Sequence, residues 1–311
     1  MSNPGTLENL AREFEGHRPR LHSVAFHLLG STADADDAVQ SAWLKASGAD
    51  FAAVDNVAGW LTTITARTAV DQLRARARRG EQPLPDPLGN AGSAAAPAAD
   101  EEVLRSEAVS RALLVVLDRL SPAQRAAFVL HDLFDVPFEQ IGALLDKSPD
   151  AAKKLASRAR ARLHAGPAAE PRRRAEHLQI VTAFLAASRG GDIPALLELL
   201  APDVVRRVDP VLVPAGVATE MRGAPDVATE TRRFTRRARA GAVLLIDGAP
   251  GIAIAPGGRL LAALHIGIGA DGRIHTIDIA GEPDRLRLLT LQLPEPMPGS
   301  ALIGHADRFG G

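Results

Sequence analysis

From Leu7 to about Arg79 apolar residues recur at helical spacing: Phe14, Leu21, Val24, Ala25 and Leu28 mark one face, and GSTADADDAVQSAWLKA reads as a turn feeding a new helix. Three or four helices are predicted there. The periodicity stops at Gly80 to Asp100 (GEQPLPDPLGNAGSAAAPAAD), which has too little apolar surface to order itself and reads as a flexible linker. It resumes in EEVLRSEAVSRALLVVLDRL, an amphipathic helix ending near Leu120. Ser121-Pro122-Ala123-Gln124 then supplies an N-cap, a proline at the first helical position and a capping-box glutamine. Pro137 and Ser148-Pro149 start two further helices. The last two are separated by only Asp146 and Lys147, which suggests a helix-turn-helix. AGPAAEPRRR follows as a second linker.

Beyond Ala175 the period changes. One or two helices (His177–Ser188; Ile193–Leu200) precede strand-like runs: DVVRRVDPVLV, AVLLIDG, GIAIAP, RLLAALHIGIG and RIHTIDIAG, the last two joined by the hairpin signal Ala270-Asp271-Gly272. This predicts an α+β domain, helices first and a curved antiparallel sheet after. The Pro- and Gly-rich end from Gln292 reads as a disordered tail. The expected organisation is therefore 1–80 helical, 81–100 linker, 101–166 helix-turn-helix, 167–176 linker, 177–291 α+β and 292–311 tail.

Composition narrows the function. A chain of 311 residues with 46% hydrophobic content can build more than one core. It has no cysteine, which excludes disulfides and thiolate metal sites, and no apolar run of membrane-spanning length, so a cytoplasmic location without membrane contact is expected. No cofactor or metal is implied. The net charge of −1 hides strong patterning: basic blocks lie at Arg67–Arg79, Lys153–Arg162, Arg172–Arg174 and Arg232–Arg239.

The second block is the most informative. On a helical wheel Ala152, Leu155, Ala156, Ala159 and Leu163 share one face, while Lys154 and Ser157 point the other way with Lys153 and Arg158 at the edges. The apolar face can pack on its own domain while the cationic face meets duplex DNA. Lysine and serine near the helix start can reach base edges, whereas Arg158, Arg160 and Arg162 suit phosphates. The residues alone also allow a basic helix that is merely solvated.

Two longer stretches resemble a known family. FEGHRPRLHSVAFHLLGSTADADDAVQSAWLKA with DNVAGWLTTITARTAVDQLRARARR is similar to region two of the extracytoplasmic-function (ECF) sigma factors. LSPAQRAAFVLHDLFDVPFEQIGALLDKSPDAAKKLASRARARL is similar to their region four. LPDPL, Leu84 to Leu88, resembles the WLPEPL signature of the ECF group that carries a C-terminal SnoaL-like domain, with Pro83 in place of the tryptophan. The resemblance implies a multidomain, non-enzymatic subunit: two all-α sigma domains and an α+β SnoaL-like cone with an internal pocket. Its implied partners are promoter DNA and core RNA polymerase, through the β′ clamp helices and the β flap.

By the same resemblance, Asp34, Asp36, Asp37 and Gln40 meet the polymerase clamp. Acids at a helix start also complement the helix dipole, and both roles are compatible. Asn56 becomes a base reader at the −10 element, with Arg67, Arg74 and Arg76 on its phosphates. Lys153, Lys154, Ser157, Arg158 and Arg162 read the −35 element. Trp60 is placed in the core, because a tryptophan four residues before Ile64 keeps the apolar spacing.

In the third domain Glu282-Pro283-Asp284-Arg285-Leu286 is similar to the group's Asn-Pro-Asp-Lys-Leu motif, and Asp209 stands where an Asp-Gly-Gly-Gly-Lys motif is expected. Asp209, Pro283, Asp284, Arg285 and Leu286 are thus candidates for a regulatory interdomain contact. A pocketed cone can instead bind a small molecule or catalyse a cyclase- or isomerase-type reaction. His265, His275 and Asp278 are the acid–base candidates, although strand alternation puts His275 and Asp278 on opposite faces. A plain two-domain repressor is a third reading, one that has no use for a region-two segment.

Overall fold

The computed structural model describes residues 4–49, 54–79, 110–164 and 170–294. The linker with its Leu84–Leu88 motif lies outside the described residues, as does the expected tail beyond residue 294; Gln292, the expected start of that tail, is instead the end of a strand. The described residues form two compact units, 4–79 with 118–162 and 110–117 with 163–294.

In the first unit α1 (Pro4–Leu29), α2 (Thr32–Ser47) and α3 (Val57–Arg79) pack pairwise. The anticipated apolar stripe of α1 is buried, and the Phe14 ring lies 5.1 Å from that of Trp43. Ser31 caps α2, its hydroxyl accepting from the Asp34 amide at 3.3 Å. Helix α3 buries Thr62, Thr65 and Thr68, an unusual choice for a core. Each hydroxyl donates to the carbonyl four residues back, at 2.8, 2.9 and 3.0 Å, so the groups are satisfied without water.

A helix over 110–117 (α4) belongs by its contacts to the second unit. The first unit continues with α5 (Pro122–Phe128), a π-helical turn at Val129–Leu133, α6 (Phe138–Leu145) and α7 (Pro149–Leu163). Both arms of the Ser121/Gln124 capping box are present. Helix α5 packs on α3 and carries Arg125 into the interior, where its Nε donates to the His27 carbonyl at 3.0 Å. Burial is the main reason its pKa is lowered to about 10, with Asp118 opposing and Arg76 adding to the shift.

His27 is half-buried in the same place, its Nδ1–H donating to the Ser23 carbonyl at 2.8 Å. Burial lowers its pKa, opposed by that hydrogen bond and reinforced by the Arg125 charge. As pH falls through the ordinary value of 6.5, the unfolded chain takes up a proton that the folded ring refuses. Stability is therefore expected to drop from that point until pH reaches the lowered folded value. His27→Gln should flatten this part of a urea-unfolding pH profile; an unchanged profile would place the titration elsewhere.

The second unit continues with α8 (Pro171–Gly190), α9 (Ile193–Leu199), β1 (Leu200–Val208), β2 (Glu220–Arg222), α10 (Ala224–Arg233) and α11 (Thr235–Arg239). Then come β3 (Gly241–Ile246), β4 (Ala249–Ile254), β5 (Ala262–Ile268), β6 (Ile274–Ala280), α12 (Pro283–Leu288) and β7 (Leu291–Gln292). Helix α8 starts at Pro171, earlier than the apolar pattern indicates, because proline at the first turn extends it through the arginine run.

The seven strands form one sheet in the order β2-β1-β6-β5-β4-β3-β7. The expected antiparallel pairing holds for the other neighbouring strands, but β1 runs parallel to β6, so the sheet is mixed. The chain between them crosses over through β2 to β5, and no hairpin ties the two strands to opposite directions. Helices α8 and α10 pack on the sheet, and their apolar faces close a core around Phe184, Leu196, Val204, Val227 and Ile277. Among the described residues no helix is long and apolar enough to cross a membrane.

Candidate nucleic-acid interface

The turn between α6 and α7 is set by local chemistry. Asp146 ends α6 in the left-handed region at φ 57°, a conformation aspartate tolerates, and the Lys147 amide donates to the Gly142 carbonyl at 2.9 Å. Ser148 then caps α7, accepting from the Ala151 amide at 3.2 Å. Gly142 has no alternative here, because a Cβ would stand 2.7 Å from the Lys147 carbonyl oxygen and 3.2 Å from the Pro149 nitrogen. Gly142→Ala must open the turn and is expected to cost about 1–3 kcal/mol, read as a lower melting temperature with weaker duplex binding. A wild-type melt would disprove that tight approach.

Helix α7 is amphipathic as the wheel indicates. Ala152, Ala156, Ala159 and Leu163 are buried, Leu155 is half-buried, and Lys153, Lys154, Ser157 and Arg158 are exposed. Lys153, Lys154 and Arg158 have no acidic partner among the described residues, which leaves their charge directed at solvent. Arg162 differs from the other −35 candidates: its Nη1 donates to Gln124 Oε1 at 3.2 Å. Arg160 likewise sits 3.2 Å from Asp132. The end of the helix thus ties α7 to α5 and the π turn through Arg160 and Arg162, and its first two-thirds carry the open cationic face.

The α3 candidates also divide. Asn56 caps the helix, its Oδ1 accepting from the Gly59 amide at 2.8 Å, so its amide nitrogen is the part left for a base. Arg67 is exposed. Arg74 donates to the Leu145 carbonyl at 3.3 Å and lies 3.8 Å from Asp146, while Arg76 pairs with Asp34 at 2.5 Å. Trp60 is half-buried. On α2, Asp36 sits 3.4 Å from His22, and Asp37 and Gln40 are exposed. Periodicity could not reveal that Asp34 and Arg76, candidates for different ligands, hold each other.

The third-domain candidates come together where the loop after β1 meets the start of α12. Asp209 Oδ2 accepts from the Gly281 and Glu282 amides at 2.8 and 3.2 Å, and Arg285 Nη1 donates to its Oδ1 at 2.8 Å. Partial burial alone would raise the Asp209 pKa, but the two amides and the guanidinium outweigh it and hold the carboxyl below its usual value. Pro283 opens α12, Asp284 and Arg287 form an ion pair, and Leu286 is buried.

The acid–base candidates do not converge. His275 faces Asp271 at 3.0 Å and Asp203 at 3.8 Å, and His265 is paired in register with Asp278 across the strands. None of His265, His275 and Asp278 lines the cavity of about 110 Å³ that lies between the sheet and α8, α10 and α11. Its polar lining includes instead a buried arginine, Arg206, which is not among the residues singled out from the sequence. The signal was there: Arg206 shares strand phase with Val204 and Val208, both buried.

Residues 14–79 match the Sigma-70 region 2 family and residues 110–163 match Sigma-70 region 4. The chain is 42% identical over 201 residues to the ECF RNA polymerase sigma factor SigJ of Mycobacterium tuberculosis, spanning 62% of either chain. It is 32% identical over 198 residues to the probable ECF RNA polymerase sigma factor SigI of the same species, covering 63% of this chain and 68% of that one. The crystal structure of M. tuberculosis SigJ aligns with 89% of this chain and 98% of its own at 30% identity, with a TM-score of 0.41. Two sigma regions in order, the α6–turn–α7 geometry and the sequence identity to these two sigma factors together place the chain in the family of ECF RNA polymerase sigma factors.

Proposed function

We propose that the protein is a dissociable specificity subunit that joins core RNA polymerase and directs it to promoters with −35 and −10 elements. The observation that carries this reading is the open cationic face of α7, presented by a tight turn on a chain that also holds a region-two helical domain. Lys153, Lys154, Ser157 and Arg158 enter the −35 major groove, with Arg162 bracing the helix and reaching phosphate at its end. Asn56 and Arg67 engage the −10 strand.

Arg74 and Arg76 join them by exchanging their internal acceptors for phosphates. Asp34, Asp36, Asp37 and Gln40 form the surface for the β′ clamp helices, so release of Asp34 from Arg76 couples the two events. Region four meets the β flap. The α+β domain, of the SnoaL-like kind, tunes activity through the cluster formed by Asp209 and Glu282–Leu286, and takes a small-molecule ligand in its cavity.

In vitro transcription from the protein's own upstream region tests this, using core polymerase with the full chain or a chain ending near residue 170. Specific transcripts from either are expected, and the difference between them gives the sign of the third domain's control. No transcript and no core binding from either would reject the reading.

A further inference from the structure

The cavity in the second unit has a composition that specifies a ligand. Its walls are apolar, built by Phe184, Leu185, Ile252, Ile254, Leu264 and Ile277. Among its lining residues only Arg206 and Arg237 are charged, and both are cations. Ser188 and Thr231 also line it, but their hydroxyl protons go to the Phe184 and Val227 carbonyls, each at 2.7 Å. Only hydroxyl lone pairs remain to face inward from those two positions.

Arg206 is 4% exposed, and its guanidinium is incompletely matched by protein. Nη1 lies 2.8 Å from Glu230 Oε2, a close contact without hydrogen-bond alignment. Nε and Nη2 have no hydrogen-bond acceptor among the described residues. These two N–H groups form one edge of the guanidinium, the parallel pair of donors that receives a carboxylate in bidentate fashion. Burying such a pair beside apolar walls is unfavourable unless an acceptor completes it.

Charge points the same way. Glu230 offsets one of the two arginines, so an entering monoanion meets a net positive lining rather than a neutral one. Arg237, on exposed α11 and stacked over Phe234 at 5.4 Å, stands at the rim where it can draw an anion inward. The volume of about 110 Å³ is of the order of apolar cavities that admit a single aromatic ring.

We propose that this cavity binds a small apolar monocarboxylate, its carboxylate forked on Arg206 Nε and Nη2 and its hydrocarbon body packed against the sheet. The proposal takes from the preceding section only that the domain has a ligand; it does not depend on polymerase or promoter binding.

The test is calorimetric titration of the full chain, without polymerase or DNA, with a panel of straight, branched and aromatic monocarboxylates from butyrate to decanoate and benzoate, each paired with its amide. At least one acid is expected to bind ten-fold or more tightly than its amide, a preference read on the unaltered protein. Arg206→Lys, which keeps the charge but loses the fork, should weaken that acid by at least ten-fold while the circular dichroism spectrum and melt stay those of the wild type. If that variant is misfolded, the acid-over-amide ratio still decides. Equal binding of acids and amides, or no binding by any acid, would overturn the proposal. Loss of transcription activity with intact acid binding would instead reject only the sigma reading.

Discussion

Replacing Lys154 and Arg158 together by alanine is expected to cut transcription from a −35-dependent promoter by roughly ten- to a hundred-fold, with core polymerase binding and the melting temperature unchanged. Both side chains are exposed, lie in the first two-thirds of α7 and have no acidic partner among the described residues. Removing them therefore leaves no buried group unsatisfied, and alanine suits a helix. What is lost is cationic contact with DNA, so the logarithmic salt dependence of duplex binding should become shallower by up to about two. Arg162→Ala offers the contrast. It removes the 3.2 Å hydrogen bond to Gln124, so it should lower stability as well as DNA binding. Wild-type transcription by the Lys154/Arg158 double variant would move the reading face away from α7.

Asp209→Ala is expected to destabilise the α+β domain by about 2–4 kcal/mol and to shift transcription by the full chain toward that of the chain ending near residue 170. One carboxylate gathers two backbone amides and Arg285, and alanine leaves all three to find other acceptors. Because this carboxyl is held below its ordinary 3.8, its contribution is complete above that value and is lost as pH falls through the lowered folded value. The wild type should thus show an acid-limb loss of stability that Asp209→Ala lacks, measured by denaturant unfolding between about pH 2 and 5. Asp209→Asn separates the effects: its amide oxygen still accepts from the backbone, but the charge for Arg285 is gone. A variant that melts like the wild type would show that the loop is held by other contacts.

Local signals carried much of the architecture. Capping at Ser121 and Ser148, and the wheel of α7, depend on side chains a few residues apart, so the chain's own spacing defines helix starts and the buried stripe. The hairpin at Asp271-Gly272 is equally local, with Gly272 at φ 73°. The two family-like strings, in order along the chain, indicate two sigma regions without reference to any long-range contact.

What crosses long stretches of chain was decided only by the fold. The parallel β1–β6 pairing joins strands that no hairpin links, and alternation says which face a residue takes but not which strand lies beside it. Likewise Asp34–Arg76, Asp209–Arg285 and the burial of Arg125 arise from elements brought together by apolar packing, where each charge meets a partner or a carbonyl. Arg206 combines the two. Strand phase pointed it inward from the sequence alone, but only the closing of α8, α10 and α11 over the sheet turned that position into a cavity with an unmatched guanidinium edge. Sequence determined the elements and the faces they offer, because those follow from backbone periodicity and neighbouring side chains. Tertiary structure decided which charges are spent on one another and which remain for a ligand, because that depends on distances the chain sets only once its cores are formed.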